Sequence, residues 1–390
     1  MTVIYLDNAA TTWPKPEAVY QAVDACLRSV GGNPGRGLST GSRNAANLIY
    51  ETREALANLF GISNSAQVIF THNATDALNT ALFGFIKPGD CVVTTSMEHH
   101  AVARPLAYLE TIGVKVVRVQ ADRQGWIDPN AIEQAVGKGT KAIVLSHASN
   151  VTGTIMPLYE IGQIARKAQA AFIVDAAQTA GVEAIDVHEM QIGLLAFSGH
   201  KGLLGPQGTG GLYIQEDIQL KPLRYGGTGS LSESELQPDF LPDRLESGTL
   251  NTPGIAGLLA GLEFIRTTGR DVIRKKEIQF AAQLIAGLAE IPGVRLYGPI
   301  EPDKRTAVVS FNIGQLDSNR IAYELDAEFG IACRGGLHCS SWAHRTIGTL
   351  ASGTVRFSPG YFNQTAEIAA AIQAVKAIAE RNGNHEGNTG

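Results

Sequence analysis

Phe197-Ser198-Gly199-His200-Lys201, running on into the glycine-rich stretch from Gly202 to Gly211, sets the fold class of this chain. The apolar run Ile192 to Phe197 reads as a buried strand that ends by presenting one lysine among small residues. A lysine at a buried strand end is desolvated, which lowers the pKa of its amine. That suits it to Schiff-base chemistry with an aldehyde cofactor, above all pyridoxal phosphate. The plainer alternative is a surface lysine in a turn. Upstream, Phe172-Ile173-Val174-Asp175-Ala176-Ala177-Gln178 has the β-branched density of a buried parallel strand, with Asp175 at its end. Ligands in open α/β sheets bind beyond the carboxyl ends of the strands, so Asp175 and Lys201 are expected to face one crevice. A carboxylate there can pair with a pyridinium nitrogen and preserve the cofactor's electron sink.

Outward from this pair, helical and strand-like runs alternate from about residue 45 to 215, as a doubly wound sheet with right-handed crossovers requires. Strands are expected over 67–71, 91–96, 115–119 and 141–146, and helices over 17–30 and 44–60 and from Ala77 onward. The strand before His72-Asn73-Ala74-Thr75-Asp76 and the helix after it make an anion site, with free backbone N–H groups, a favourable dipole and the Thr75 hydroxyl. An ordinary N-cap is the alternative. His99 and His100 invite a metal reading, but adjacent side chains on a helix point apart and no further ligands converge, so no metal site is assigned. Residues 224–242 are rich in glycine, serine and proline and read as an irregular excursion.

With 390 residues, two domains are the default. Hydrophobic content of 44% with 18% charged residues is ordinary for a globular protein, and a net charge of −5 supplies no basic surface for nucleic acid. No apolar run approaches the ~20 residues that span a membrane, and Met1 to Tyr5 lacks the features of a signal peptide. A cytoplasmic location is expected. Four cysteines do not make a disulfide framework, and Cys26 and Cys91 read as small core residues. Cys333 lies in the apolar start of Ile331-Ala332-Cys333-Arg334-Gly335-Gly336-Leu337-His338-Cys339, whereas Cys339 lies in its glycine-loosened end near Arg334, His338, His344 and Arg345. Positive neighbours favour a thiolate. A regulatory disulfide or a zinc site with the histidines is the alternative, although the C-x5-C spacing fits no common zinc pattern.

The combination of Asp175, Ser198-Gly199-His200-Lys201 and the opening Tyr5-Leu6-Asp7-Asn8-Ala9-Ala10-Thr11-Thr12 resembles the class-V, fold-type I aminotransferase superfamily, and within it the cysteine desulfurases. The likeness extends to about Phe362 and points toward the branch holding SufS-like desulfurases and selenocysteine lyases. It implies an α/β fold: a mostly parallel, doubly wound seven-stranded sheet in a large cofactor-binding domain over 15–260. Residues 1–14 and 261–380 would form a smaller α+β domain carrying the Cys339 loop, with a helix after Pro253 bridging the two and 381–390 as a flexible tail.

The resemblance also implies roles. Lys201 would hold pyridoxal phosphate, with Ala74, Thr75, Ser198 and His200 around it, His99 against its ring, Asp175 at the ring nitrogen, and Gln178 and Asn150 near its phenolic oxygen. Thr249, in Gly248-Thr249-Leu250-Asn251, would reach the cofactor phosphate of a neighbouring subunit, which implies a homodimer. Arg356, with Asn150 and Arg334, would bind the substrate carboxylate, and Cys339 would take sulfur from L-cysteine as a persulfide and pass it to a protein acceptor. Ser39-Thr40 stands where a histidine is common in relatives, and no role is assigned there. The rivals are a selenocysteine lyase, a cystine C–S lyase or an epimerase of the same superfamily, and a non-catalytic scaffold of this fold.

Overall fold

The structure, a computed structural model, describes residues 3–35, 37 and 39–386, the last four of these as backbone. After a two-residue strand β1 (Ile4–Tyr5), seven strands build one sheet: β2 (Val68–Thr71), β3 (Cys91–Thr95), β4 (Lys115–Val119), β5 (Thr140–Ser146), β6 (Ala171–Asp175), β7 (Leu194–Ser198) and β8 (Gly210–Ile214). Their order across the sheet is β2-β8-β7-β6-β5-β3-β4. The run from β7 to β4 is parallel, and β8 runs against both of its neighbours, β2 and β7. The mostly parallel seven-stranded sheet expected from the sequence is therefore present, with β8 reversed.

The strands lack polar alternation because both of their faces are covered. On one face Phe70, Val93, Ile143, Val174 and Phe197 pack against Ile49, Leu56 and Phe60 of the helix Thr40–Phe60, Ile161 of Leu158–Lys167, and Leu258 of Thr252–Thr268. On the other, Ile69, Val92, Val144, Ile173 and Ala196 pack against Leu78 and Leu82 of the helix Ala74–Phe85 and Leu106 of His100–Thr111. Glycine lets β8 run close beneath the start of the helix Ala74–Phe85. A Cβ on Gly210 would lie 2.7 Å from Asn73 Cα and 2.8 Å from the Phe197 carbonyl oxygen.

A separate core gathers Leu6, Phe280 and Leu284 of the helix Arg270–Ala289, and Ile321 and Leu325 of Ser318–Phe329, with Ile368 and Val375 of the last helix. Around it β9 (Val294–Tyr297), β10 (Val309–Ile313) and β12 (Val355–Phe357) form an antiparallel sheet in the order β12-β10-β9, while β11 (Ile331–Ala332) pairs with β1 in parallel. The helix Thr252–Thr268, expected to bridge the two parts, buries Ile255, Leu258, Leu262 and Ile265 in the large core. The last helix, Thr365–Glu386, continues past Arg381, where the sequence suggested a tail. Arg381 pairs with Glu324 and Glu328 across the helix Ser318–Phe329, which carries the helix on. Residues 387–390 of that expected tail lie outside the described residues.

No helix or strand forms from Gln215 to Asn251, in keeping with the composition of that stretch. Its far end is fastened by a buried two-point ion pair, Arg53 Nη1 and Nη2 to the Glu246 carboxylate at 2.9 Å each, and Glu246 also accepts the Phe70 N–H at 2.6 Å. Among the described residues no helix is long and apolar enough to cross a membrane.

Candidate active site

Lys201 stands three residues beyond β7, in a loop that folds tightly on itself. Gly199 N–H donates to the Thr209 carbonyl at 2.9 Å, and Gly205 N–H to the Gly199 carbonyl at 2.7 Å. The N-terminal segment ties this loop down from outside. The His200 carbonyl accepts the Thr12 N–H at 3.1 Å, Lys15 Nζ at 2.8 Å and the hydroxyls of Thr11 and Thr12 at 3.2 Å each. The backbone on either side of the reactive amine is thus preset.

The amine opens into a cavity of about 320 Å³. Ala74, Thr75, His99, Asn150, Asp175, Gln178, Ser198, His200, Lys201, Arg334 and Arg356 all line it, so residues far apart in the sequence meet here. Thr249 does not: it is exposed elsewhere and accepts a bond from Asn33 Nδ2 at 3.1 Å. Cys339 lies at the mouth, in an adjoining groove that shares Thr75 and His99 with the cavity. Arg334 Nη2 reaches its Sγ at 3.6 Å.

Burial dominates the charges inside. It pulls the Lys201 amine down to about 8; Asp175 opposes this, and Arg356 and Arg334 add to it. Burial likewise raises the Asp175 carboxyl, against a 2.9 Å bond from the Ala177 N–H and the charge of Lys201. His99 falls to about 3, through burial first and then the neighbouring Lys201, so its ring is neutral. Its Nδ1 accepts the Ala101 N–H at 3.1 Å, which assigns the ring proton to Nε2. Burial and Lys201 together lower His200 to about 4.

At the start of the helix Ala74–Phe85, Ala74 N–H is taken by Ser198 Oγ at 3.0 Å and Asp76 N–H by the Asn73 cap at 2.9 Å. Thr75, the next residue of the helix, lines the cavity, and a helix start so placed is one that receives a phosphate. Across the cavity Arg356 is 1% exposed; its Nη2 pairs with Asp7 Oδ1 at 2.7 Å and its Nη1 bonds the Asn150 carbonyl at 3.1 Å. Its Nε is left without a protein partner, as are Nδ1 of His200 and Nδ1 of His338. A buried carboxylate, a phosphate-type cradle and a desolvated amine around one cavity, with buried polar atoms without partners, suit a phosphorylated aromatic aldehyde. Among the described residues no group of three His, Cys, Asp or Glu side chains is placed to hold a metal ion.

Several residues here escaped the sequence reading. Asp7 belongs to the quoted opening motif, yet nothing local ties it to Arg356. Glu98 and Ser146 lie behind Asp175: Glu98 accepts the Ser146 N–H and hydroxyl at 2.8 Å each. His338 lines the cavity and meets the Thr354 hydroxyl at 3.1 Å. Cys333, by contrast, is held in the apolar environment expected of it, and burial pushes its thiol far up.

Comparison with known proteins agrees with this geometry. The aminotransferase class-V family pattern matches residues 4–370. A probable cysteine desulfurase of Methanothermobacter thermautotrophicus is 37% identical over 383 residues, covering 96% of this chain and 94% of the relative. The cysteine desulfurase IscS of Dictyoglomus turgidum is 30% identical, covering 97% and 95%. The apo structure of a cysteine desulfurase from Thermococcus onnurineus NA1 superposes with a TM-score of 0.91 at 34% identity, covering 97% of this chain and 95% of that one. The Escherichia coli cysteine desulfurase CsdA, in an S-sulfonic acid form, gives 0.87 at 28% identity with the same coverage. By sheet order, by the lysine and aspartate beyond its strand ends, and by a match over nearly its whole length, the chain belongs to the class-V aminotransferase family, among its cysteine desulfurases.

Proposed function

We propose that this protein is a pyridoxal-phosphate-dependent cysteine desulfurase, which converts L-cysteine to L-alanine and keeps the sulfur on Cys339 until an acceptor takes it. One observation carries the reading: the exposed Cys339 thiol lies 3.6 Å from Arg334 Nη2, and Arg334 shares its cavity with Lys201 and Arg356. Pyridoxal phosphate, when bound, supplies an electron sink for negative charge on the substrate's Cα.

The chain's own residues do the rest. Thr75, with Ala74, Ser198 and His200 around it, would hold the phosphate, Asp175 the ring nitrogen, His99 the ring face, and Gln178 and Asn150 the ring oxygen. Lys201, its amine brought down to about 8, would hold the cofactor through its aldehyde and is the base placed to move the substrate's α-proton. Arg356 holds the substrate carboxylate with Asn150 and Arg334, a task suited to a planar, always-charged donor. Cys339 sulfur then attacks the substrate sulfur. An S–S bond forms and the Cβ–S bond breaks; its electron pair stays with the carbon skeleton, which takes up one proton at Cβ, regains one at Cα from Lys201 and leaves as alanine.

Thr249, exposed and outside the cavity of its own chain, would serve the phosphate site of a second copy in a homodimer. The short interval from Cys339 to Arg356 supports the SufS-like branch, in which a compact cysteine loop delivers sulfur to a protein acceptor. The test is incubation with L-cysteine, assaying alanine together with the mass of the Cys339 peptide, with L-selenocysteine and L-cystine as competing substrates. Alanine formation with one added sulfur on Cys339 is expected, as is a visible cofactor band that disappears in Lys201→Ala. Undiminished sulfur release by Cys339→Ala would overturn the reading.

A further inference from the structure

The position of Cys339 is set mainly by the residues on either side of it. His338 and Cys339 both adopt left-handed backbone angles, φ 47° and 58°. Non-glycine residues hold such angles when their surroundings impose them. Here Asn150 does so. Its Nδ2 donates to the His338 carbonyl at 2.7 Å, and its Oδ1 accepts from Ser340 Oγ at 2.7 Å, so the two bonds straddle Cys339. The residues are buried: Asn150 is 7% exposed, His338 2% and Ser340 0%. The Cys339 carbonyl is held in turn by the His100 N–H at 2.8 Å. A carboxamide suits the place because it offers a donor and an acceptor at once, which a carboxylate does not. The Asn150 main-chain carbonyl also accepts from Arg356, so the residue that brackets the thiol touches the arginine assigned to the substrate carboxylate.

We infer that the Asn150 carboxamide and Ser340 form a clamp that positions Cys339 for sulfur capture. Asn150 is then a positioning residue for the transfer step, apart from any contact with the cofactor. This rests on the desulfurase reading above.

The test uses the holoenzyme in single turnover with L-cysteine, following persulfide on Cys339 by rapid quench and mass spectrometry, with the cofactor band and KM recorded alongside. Losing one net hydrogen bond corresponds to about a fivefold change. Ser340→Ala is therefore expected to slow persulfide formation about fivefold, with the cofactor band and KM retained. Asn150→Ala slows it further. The double variant is no slower than Asn150→Ala, because the bond Ser340 made is already gone.

A wild-type rate in Ser340→Ala, or losses that multiply in the double variant, would overturn the clamp alone. A wild type that forms alanine but no persulfide on Cys339 overturns the desulfurase reading and the clamp with it. Should Ser340→Ala not fold, Asn150→Asp carries the same test. It keeps the size and the acceptor for Ser340 but loses the donor to His338, so about a fivefold slowing is expected and a wild-type rate overturns the clamp.

Discussion

Glu98 offers a test of how the buried charges are arranged. It is 1% exposed and accepts the Thr95 hydroxyl at 2.5 Å as well as the two bonds from Ser146. Burial raises its carboxyl from 4.5 to about 7; the hydroxyls of Thr95 and Ser146 oppose the rise, and the neighbouring Asp175 adds to it. An acid whose pKa is higher in the folded state binds its proton more tightly there. The fold therefore loses stability as pH climbs from the unfolded value toward the folded one. At about 1.4 kcal/mol per pH unit, the rise from 4.5 to about 7 amounts to a loss of about 3 kcal/mol across that window. Glu98→Gln keeps the shape, with the amide oxygen toward Ser146 and the amide nitrogen toward Thr95, and it does not titrate. Urea unfolding of both proteins from pH 5 to 8 should show the variant about 1 kcal/mol ahead at pH 5, where the unfolded carboxyl is already mostly ionised, and about 3 kcal/mol ahead by pH 8. Titrating groups that do not interact with Glu98 cancel in the difference between the two curves. Curves that stay parallel across the whole range would refute the reasoning.

Three further outcomes follow from the site. Arg356→Lys loses the planar fork that bonds Asp7 and the Asn150 carbonyl, and should lower kcat/KM for L-cysteine about 10- to 100-fold, mainly through KM; an unchanged KM would remove Arg356 from carboxylate binding. Iodoacetamide at neutral pH should modify exposed Cys339 while leaving Cys333, whose thiol burial pushes up, intact in the folded protein. Peptide mapping that finds Cys333 labelled equally fast would contradict this. Gly210→Ala forces a methyl against Asn73 and should cost about 1–3 kcal/mol in thermal or urea unfolding, with weaker retention of cofactor phosphate. A variant as stable as the wild type would show that the helix start can move freely.

Lys201 and Asp175 were legible in the sequence because parallel strands deliver the residues at their ends to one edge, so a strand pattern alone nearly places them. The start of the helix Ala74–Phe85 was legible for a similarly local reason, since cap, turn and helix are contiguous. The Asp7–Arg356 pair was not: its members are 349 residues apart and meet because β1 and β12 carry them to a shared boundary. Glu98 reads in sequence as one acid beside two histidines, and only the approach of Ser146 from β5 shows what holds it. The same is true of Asn150, whose carboxamide is engaged with a loop nearly two hundred residues away. Element ends also shifted for physical reasons. The helix expected from residue 44 begins at Thr40, because Ser39 Oγ accepts the Ser42 N–H and supplies the cap.

The site is divided between two separately packed bodies of side chains. Lys201, Asp175 and the phosphate-type cradle are rooted in the seven-stranded sheet, whereas Arg356 and Arg334 follow from strands whose apolar neighbours belong to the other core; Cys339 joins the two, since Ala343 and Ile347 just beyond it pack in the large core. A shift of one body against the other would leave the amine, the carboxylate and the helix start in fixed mutual register, like the bed of a vice, while the two arginines travelled as its jaw and the thiol stayed pinned to the bed by His100 and Asn150. Small slippage at that seam would change the gap between Arg356 and the amine, and would be felt in the stretch from Cys333 to Cys339, which leaves the small core and is fastened to the large one.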